Sequence, residues 1–346
     1  MLTELISTGA NQSIYMTNVL VTGAGGTGGV AMIQVLQKSP EFRVVAVDMN
    51  PLSAGLYMAD IGEVVPVATA ENWTKEMRKI IQRHNVEVAI PLVEEELARL
   101  GELRKATPDT AFVAPENEVI DVCLDKYELM NRLESAAIPV PTTWPIQEAT
   151  ELAETEFPIV VKPRSGRGGR GVSVIESTEE LSRYRLESEL NDEELMAQEH
   201  ICGREFTSSV VCTRSNDVLS VVPKEAKLKI RSTVHGITRR QDRVVDTCRA
   251  IANHLKPAGP INVQQILDGS GTPRTIEVNP RFSSSACLTV AAGVDEVSAL
   301  VRDAIGDSYQ LSKDYRKDLH MIRYTDQTFV TNSVLLDDGA KDEENL

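Results

Sequence analysis

Short apolar runs alternate with amphipathic stretches over the first third of the chain. Runs of this length suit strands that are buried between two layers. Residues 73–84 instead repeat their apolar positions at helical spacing. Alternating strands and helices predict a parallel, doubly wound sheet, which is an α/β unit of Rossmann-like shape. The predicted strands are residues 18–22, 43–48, 64–67 and 86–91.

A second pattern begins after residue 117, where strands and helices no longer alternate regularly. A helix is expected from Lys126 to about residue 137. Two apolar runs, 157–163 and 172–175, flank a loop rich in glycine and arginine. This mixture predicts an α+β domain. Further strands are expected at residues 205–212, 218–222, 261–267 and 275–278, and further helices at residues 179–190, 241–255 and 294–304.

These changes of pattern divide the chain into four parts. We expect an N-terminal extension over residues 1–17 and a Rossmann-like domain over residues 18–117. A second domain is expected over residues 118–310, with a small lobe at about 140–200. A C-terminal segment over residues 311–346 ends in an acidic tail.

Composition narrows the class of partner. The formal net charge is −15 and the pI is near 4.9, which argues against nucleic acid or an anionic membrane as the main partner. Five scattered cysteines without a Cys-x-x-Cys pair indicate free thiols in a reducing compartment. No apolar run approaches the length of a membrane span, and the first residues lack the features of a secretory signal. We therefore expect a cytoplasmic protein with small-molecule partners.

The first glycine loop has two interpretations. Gly23, Gly25 and Gly28 lie between a predicted strand and helix, and Asp48 ends the next strand. This order matches the dinucleotide-binding fingerprint, which would make the chain an NAD-binding protein. Alternatively, the loop is a tight turn of a scaffold domain, with a helix N-terminus that can hold an anionic part of a substrate. No second domain with recognisable hydride chemistry follows, which favours the scaffold.

A second glycine loop spans residues 164–171 and directly follows Lys162. A Walker loop would lead into a helix and carry its lysine inside the loop. This segment lies between two predicted strands, so it predicts a flexible hairpin flap. Its glycines let backbone N–H groups approach phosphate oxygens, and its arginines add positive charge. The alternative is a disordered surface hairpin.

Glu277, Asn279 and Arg281 occupy alternate positions in the third informative segment. Alternate side chains of a strand point to the same face, so we expect the three groups to leave one face together. Carboxylate and amide oxygens suit Mg²⁺, and a guanidinium suits phosphate or carboxylate. The segment predicts a phosphoryl-transfer site, whereas the alternative is a strand end with ordinary surface charges.

In this order, the Val-Val-Lys-Pro strand, the flap and the Glu-x-Asn-x-Arg segment resemble the ATP-grasp superfamily over roughly residues 19–306. The chain is similar to the synthetase component of carbamoyl phosphate synthase large subunits and to free-standing carboxylate–amine ligases. The resemblance implies a Rossmann-like pre-ATP-grasp domain followed by a two-lobed ATP-grasp fold. It also implies ATP and Mg²⁺ (or Mn²⁺) as cofactors and, at the level of the family, a homodimer.

The resemblance also implies roles for individual residues. For the metal it implies Gln264 rather than its neighbour Gln265, which competes for the inward position. Arg281 and Lys162 are the implied catalytic pair, with Arg281 stabilising the transferring phosphoryl group or the acyl phosphate. The remaining implied residues are Lys126, Lys162, Gly168, Gly169 and His235 for the phosphates, Glu199 and Ile201 for adenine, Glu205 for the ribose, and Glu277 and Asn279 for the metal.

The implied activity is that of an ADP-forming carbon–nitrogen ligase, which activates a carboxylate as an acyl phosphate and couples it to an amine. A bicarbonate-activating component like that of carbamoyl phosphate synthase is an alternative, although the chain has room for only one synthetase half. A non-catalytic nucleotide- or NAD-binding protein is a third. An anionic acceptor is suggested by six basic residues in one segment, namely Lys224, Lys227, Lys229, Arg231, Arg239 and Arg240.

Overall fold

The computed structural model describes residues 16–166, 168–230 and 232–336. Most of the predicted N-terminal extension and the acidic tail from residue 337 lie outside the described residues, as do Arg167 and Arg231. In the described part of the chain, no helix is long and apolar enough to cross a membrane.

The N-terminal part folds into a five-stranded parallel sheet, as the alternating pattern predicts. Its strands are β1 (Thr17–Thr22), β2 (Phe42–Asp48), β3 (Ile61–Val64), β4 (Val88–Ile90) and β5 (Ala111–Phe112). Their order is β3-β2-β1-β4-β5, so the winding reverses between β1 and β4. Open α/β sheets bind ligands outside the carboxyl ends of their strands at such a switch point. The helices of this part are α1 (Thr27–Leu36), α2 (Ala54–Met58), α3 (Trp73–Arg83), α4 (Glu94–Leu97) and α5 (Leu100–Ala106).

The third strand corrects one expectation. It ends at Val64 instead of spanning residues 64–67. Pro66 has no N–H to donate and cannot continue a sheet ladder, which explains why the apolar run is not itself the strand.

A small antiparallel sheet follows two helices, α6 (Asn117–Leu124) and α7 (Lys126–Ser135). Its strand order is β6-β9-β7-β8, and α8 packs on it. The side chain of Asp125 caps α7 by accepting from the N–H groups of Tyr127 and Glu128. The elements of this lobe are β6 (Thr143–Pro145), β7 (Ile159–Pro163), β8 (Ser173–Ile175), α8 (Thr178–Glu187) and β9 (Leu195–Glu199).

A six-stranded antiparallel sheet completes the second part, in the order β14-β13-β10-β11-β12-β15. Two of its strands were not expected from the sequence, and β11 extends beyond its predicted end. The part of β11 beyond its predicted end begins at Pro223, and its last four residues are exposed although Lys227 and Lys229 alternate there with Leu228 and Ile230. The strands are β10 (Gly203–Cys212), β11 (Val218–Ile230), β12 (Ser232–Thr238), β13 (Pro260–Asp268), β14 (Pro273–Asn279) and β15 (His320–Ile322), and the helices are α9 (Asp242–Leu255), α10 (Ala286–Ala291) and α11 (Glu296–Ile305).

The two parts of the chain share a hydrophobic core. Met32 and Ile33 of α1 belong to the same buried cluster as Val297 and Val301 of α11. Burial of such aliphatic side chains contributes roughly 1.5–3 kcal/mol each. The N-terminal sheet is therefore held directly against the second part, which fixes the space between them.

A buried polar cluster lies next to this core. Lys224 of β11 is fully buried and donates from Nζ to Ser209 Oγ (2.6 Å) and Thr289 Oγ1 (3.0 Å). Glu296 of α11 is also fully buried, and neither of its carboxylate oxygens has a hydrogen-bond partner within the described residues. Burial lowers the pKa of Lys224 and raises the pKa of Glu296, while their mutual attraction opposes both shifts. Lys224 therefore has a structural role and is not available to bind an anionic acceptor substrate.

We expect Lys224→Met and Glu296→Met to destabilise the protein by about 3 kcal/mol each, because each leaves the other ionisable group buried without its opposite charge. The double variant should lose less than the sum, since it removes both charges. Urea unfolding of the four proteins measures this coupling. Strict additivity would show that the two groups do not interact.

Candidate active site

A cleft of about 340 Å³ opens between the small sheet and the large sheet. Its walls carry four basic side chains and two carboxylates, so it gathers positive charge in an acidic protein. Seven of the residues implied by the resemblance line it. These are Lys126, Lys162, Gly169, Glu199, Ile201, Gln264 and Glu277.

Lys162 lies on β7 at the floor of the cleft and is 7% exposed. Its Nζ donates to the Ile276 carbonyl on β14, 3.1 Å away. Burial lowers the pKa of Lys162 to about 8, with Glu277 raising it and Lys126 lowering it further. A buried ammonium that has few partners is ready to be neutralised by an incoming anion.

Lys126 approaches the same carboxylate from the start of α7. Its Nζ lies 3.6 Å from Glu277 Oε1 and donates to the Gly166 carbonyl, 2.6 Å away. The two lysines and Glu277 thus form one charged group with a net positive charge. Such an arrangement suits a polyphosphate, which brings several negative charges into a confined site.

Gln264 faces Glu277 across the β13–β14 pair, in direct register. Its Nε2 donates to Glu277 Oε2 at 2.6 Å, while Gln265 is buried on the opposite face and bonds Thr275. The structure therefore places Gln264 in the cleft, as the sequence analysis preferred. Its metal role stays a prediction.

Asn279 ends β14 and is 8% exposed. Its Oδ1 accepts from Arg281 at 3.3 Å, and its Nδ2 has no partner within the described residues. Glu277, Gln264 and Asn279 together offer one carboxylate and two amide oxygens. Hard oxygen donors of this kind fit Mg²⁺, so the residues present are compatible with the implied metal.

Arg281 corrects the expectation that three polar groups leave one strand face. The strand ends at Asn279, and the N–H of Arg281 donates to the Asn279 carbonyl at 2.8 Å, which turns the chain. The Arg281 guanidinium folds back onto Asn279 and also donates to the Phe282 carbonyl at 3.0 Å. It lies beside the metal-ligand candidates because of this turn and not because of strand alternation.

The residues implied for adenine, Glu199 and Ile201, line the cleft, whereas Glu205, implied for the ribose, contacts the lining residue Lys229. Glu199 ends β9, and its Oε2 accepts from the N–H of Thr142 at 3.1 Å. Glu205 of β10 forms an ion pair with Lys229, which also donates to Gln264 Oε1 at 3.0 Å. Lys229 lines the cleft and connects the implied ribose acid to the implied metal ligand. The sequence pattern alone places Lys229 only among the six basic residues that suggest an anionic acceptor.

The flap over the cleft depends on backbone freedom at its glycines. Gly168 and Gly169 have φ of +69° and +71°, and no atom lies within 4 Å of where a Cβ would be. Glycine is therefore favoured at these two positions by the left-handed backbone conformation, and not because a side chain would clash with its neighbours. Gly169 lines the cleft, whereas Gly168 lines a neighbouring pocket.

The structure does not bring His235 to this site. His235 lies on β12, with its Nε2 3.0 Å from His320 Nδ1 and the two rings stacked 5.2 Å apart. It is absent from the residues that line the cleft. Pairing between β12 and β15 directs the imidazole to another histidine, and the implied contact of His235 with phosphates stays a prediction.

Most of the other basic residues of this segment also have internal partners. Lys227 and Arg239 pair with Glu225, and Arg240 pairs with Asp314. The five basic residues of the segment that the structure describes therefore all have internal partners, which does not fit the expectation of a free basic surface for an anionic acceptor.

A second pocket of about 590 Å³ lies at the switch point of the N-terminal sheet. The first glycine loop, Arg281, and the flap residues Gly168 and Arg170 line it together. A much smaller third pocket shares Lys126 and Glu277 with the cleft and Arg281 with the second pocket. Two compartments thus meet where the charged residues converge.

The glycines of the first loop are explained by packing. A Cβ on Gly25 would lie 2.3 Å from Ser53 Oγ, and one on Gly29 would lie 2.2 Å from the Gly23 carbonyl oxygen. Asp48 accepts from the N–H groups of Gly25 (2.7 Å) and Asn50 (3.0 Å). Packing therefore explains Gly25, and a positive φ explains Gly23, without a dinucleotide, whereas a Cβ on Gly28 would meet nothing closer than 3.8 Å.

Comparison with known proteins identifies both parts. Residues 123–285 match the ATP-grasp domain model, and residues 19–112 match the model for the PylC-like N-terminal domain. The chain contains an ATP-grasp domain. The resemblance inferred from the motifs and the predicted fold class are confirmed.

The carbamoyl phosphate synthase large chain of Clostridium perfringens is 26% identical over 291 residues, which cover 79% of this chain and 26% of that protein. The ATP-grasp chain thus spans about a quarter of that relative. Biotin carboxylase from Campylobacter jejuni, in a β-γ-ATP complex, superposes with a TM-score of 0.73 at 15% identity over 89% of this chain and 75% of that chain. An ADP complex of N5-carboxyaminoimidazole ribonucleotide synthetase gives 0.71 at 19% identity over 88% and 80%. Likeness at these identities shows the fold.

The ionisation of Lys162 can be measured through stability. As pH rises from about 8 to 10.5, folded Lys162 loses its proton while the unfolded chain keeps it, so the cost of burying the charge disappears. The unfolding free energy of the wild type, relative to Lys162→Met, should therefore rise by up to roughly 3 kcal/mol over this range. Urea unfolding at several pH values measures it. Exposed Lys105→Met is the control, and an equal change there would contradict the assignment.

Proposed function

We propose that this chain is an ATP- and Mg²⁺-dependent ligase that activates a carboxylate as an acyl phosphate and couples it to an amine. The observation that carries the proposal is the convergence of Lys126, Lys162 and Glu277 beneath a glycine flap. The ATP-grasp match over residues 123–285 supports the same class of chemistry.

In this proposal ATP occupies the cleft between the two sheets. Glu199 and Ile201 face the adenine and Glu205 faces the ribose, so Lys229 must release Glu205 when the nucleotide enters. Lys126, Lys162 and the N–H groups of Gly168 and Gly169 bind the phosphates. Offsetting phosphate charge and positioning the groups supply most of the catalysis of phosphoryl transfer.

Gln264, Glu277 and Asn279 would hold the metal. The metal held there would supply stabilisation of the negative charge on the phosphates. Lys229 and Arg281 now occupy the amide oxygens of Gln264 and Asn279, and both cations have long side chains that can turn to the phosphates. In this proposal the metal would replace Lys229 and Arg281 at the amide oxygens, and Glu277 would have a positive charge beside it both before and after the exchange.

The second pocket is the proposed site of the carboxylate and amine. Arg281 lies at its junction with the cleft and would stabilise the transferring phosphoryl group and then the acyl phosphate. The carboxylate oxygen attacks the γ-phosphorus and ADP leaves; the amine then attacks the acyl carbon and phosphate leaves. The flap would exclude water from this intermediate. A homodimer is the proposed assembly.

Bicarbonate is the second candidate for the activated acid, because the similar Clostridium perfringens protein is a carbamoyl phosphate synthase large chain. Bicarbonate-stimulated ADP release without any added organic carboxylate would support this candidate. Stimulation only by organic carboxylates would support the first.

Incubation with ATP, Mg²⁺ and pools of small carboxylates and amines should release ADP and phosphate in equal amounts. The reason is that attack on the γ-phosphorus leaves ADP. Ion-exchange chromatography of the nucleotides measures the products, with Lys162→Met purified in parallel as a control for contaminating ATPases. Release of AMP and pyrophosphate would contradict the acyl-phosphate mechanism.

Replacement of the proposed metal carboxylate gives a sharper test. Glu277→Gln should lower kcat by roughly 100-fold or more, since it removes the only carboxylate of the proposed ligand set. It should also weaken the dependence of turnover on Mg²⁺ concentration. Exposed Glu187→Gln is the matched control. Retention of full turnover by Glu277→Gln would remove this residue from the metal site.

A further inference from the structure

The short helix α4 extends toward the flap from the N-terminal sheet. Glu94, its first residue, accepts from the N–H of Gly166 through Oε1, 2.9 Å away. Two residues later, Glu96 is 6% exposed and lines the second pocket. One turn of helix thus contacts both the flap and the wall of the second pocket.

Gly166 is held from both sides at the base of the flap. Its carbonyl accepts from Lys126 Nζ at 2.6 Å, while its N–H is held by Glu94. The backbone there has φ of +123°, which glycine adopts far more readily than other residues. Beyond it, Gly168 and Gly169 have open space around them, so the contacts at Gly166 determine where the flap starts.

The flap beyond Gly166 borders both compartments. Arg170 lines the cleft and the second pocket, and Gly168 lines the pocket alone. A change in the direction of the flap at its base would therefore alter both spaces together. Of the hydrogen bonds that Gly166 makes within the described residues, the one to Glu94 connects that base to the N-terminal part.

We propose that Glu94 is a positioning residue that holds the base of the flap against the N-terminal domain. When the flap closes over the phosphates, this contact keeps it in the position where it also borders the second pocket. This inference rests on the proposed function, because the flap is assigned to phosphates there. Glu94 acts through the Gly166 backbone and not on a reacting atom.

Limited trypsin digestion of the full chain tests the tie without any turnover. Arg170 is exposed in the flap, so the rate of trypsin cleavage after it reports how freely the flap moves from its folded position, and Glu94→Ala should raise the initial rate there by roughly five- to tenfold. Glu94→Gln keeps an acceptor oxygen and should remain within about twofold of the wild type. Cleavage after Arg214, in the remote turn between β10 and β11, is the internal reference for global unfolding. Mass spectrometry assigns the cut sites.

Exposed Glu95→Ala is the matched control, because Glu95 is the next residue of the same helix. Faster flap cleavage in Glu94→Ala alone, with rescue in Glu94→Gln, supports the proposal. Wild-type flap cleavage in Glu94→Ala, equal acceleration at Arg214, or the same effect from Glu95→Ala overturns it. Failure of the wild type to release ADP would contradict the proposed function only, since digestion is measured without substrates.

Discussion

One buried cation between two sheets determines the geometry of the site. Lys162 extends from β7 of the small sheet and bonds the Ile276 carbonyl on β14 of the large sheet. An ammonium this buried is costly unless oxygens and an opposite charge lie close to it. Glu277, the next residue of β14, supplies that charge. The two sheets must therefore meet with these strands adjacent, and the cleft is the space that remains beside them.

The cleft is lined mainly by positive charges, although the whole chain has a negative net charge. Its basic side chains come from separate elements: Lys126 from α7, Lys162 from β7, Lys229 from β11 and Arg170 from the flap. Convergence from four directions concentrates positive charge without placing like charges next to each other along the sequence. Until an anion enters, Glu277 lies beside Lys126 and Lys162, and Glu205 pairs with Lys229. This arrangement explains how a chain with a net charge of −15 can offer a site to a polyphosphate.

Contact between the N-terminal domain and the ATP-grasp domain gives the site its second compartment. The core shared by α1 and α11 holds the glycine loop opposite Arg281. Close packing at Gly25 and Gly29 keeps that loop tight against its own sheet. Because this packing fixes the glycine loop, the second pocket has one rigid wall, and the flap forms another.

Periodicity in the sequence by itself determined the alternating N-terminal sheet and the strand before the flap. These features depend on local backbone geometry, which repeats every two or 3.6 residues. The tertiary structure alone decided which lysine of β11 serves the site. Lys224 is buried against Ser209 and Thr289, whereas Lys229 reaches the cleft. Register shifts between Ala226 and Lys229 break the simple alternation of faces, and the partners across each sheet come from distant parts of the chain. The turn at Arg281, the pairing of His235 with His320, and the contact of Glu94 with Gly166 depend in the same way on neighbours that sequence spacing cannot supply.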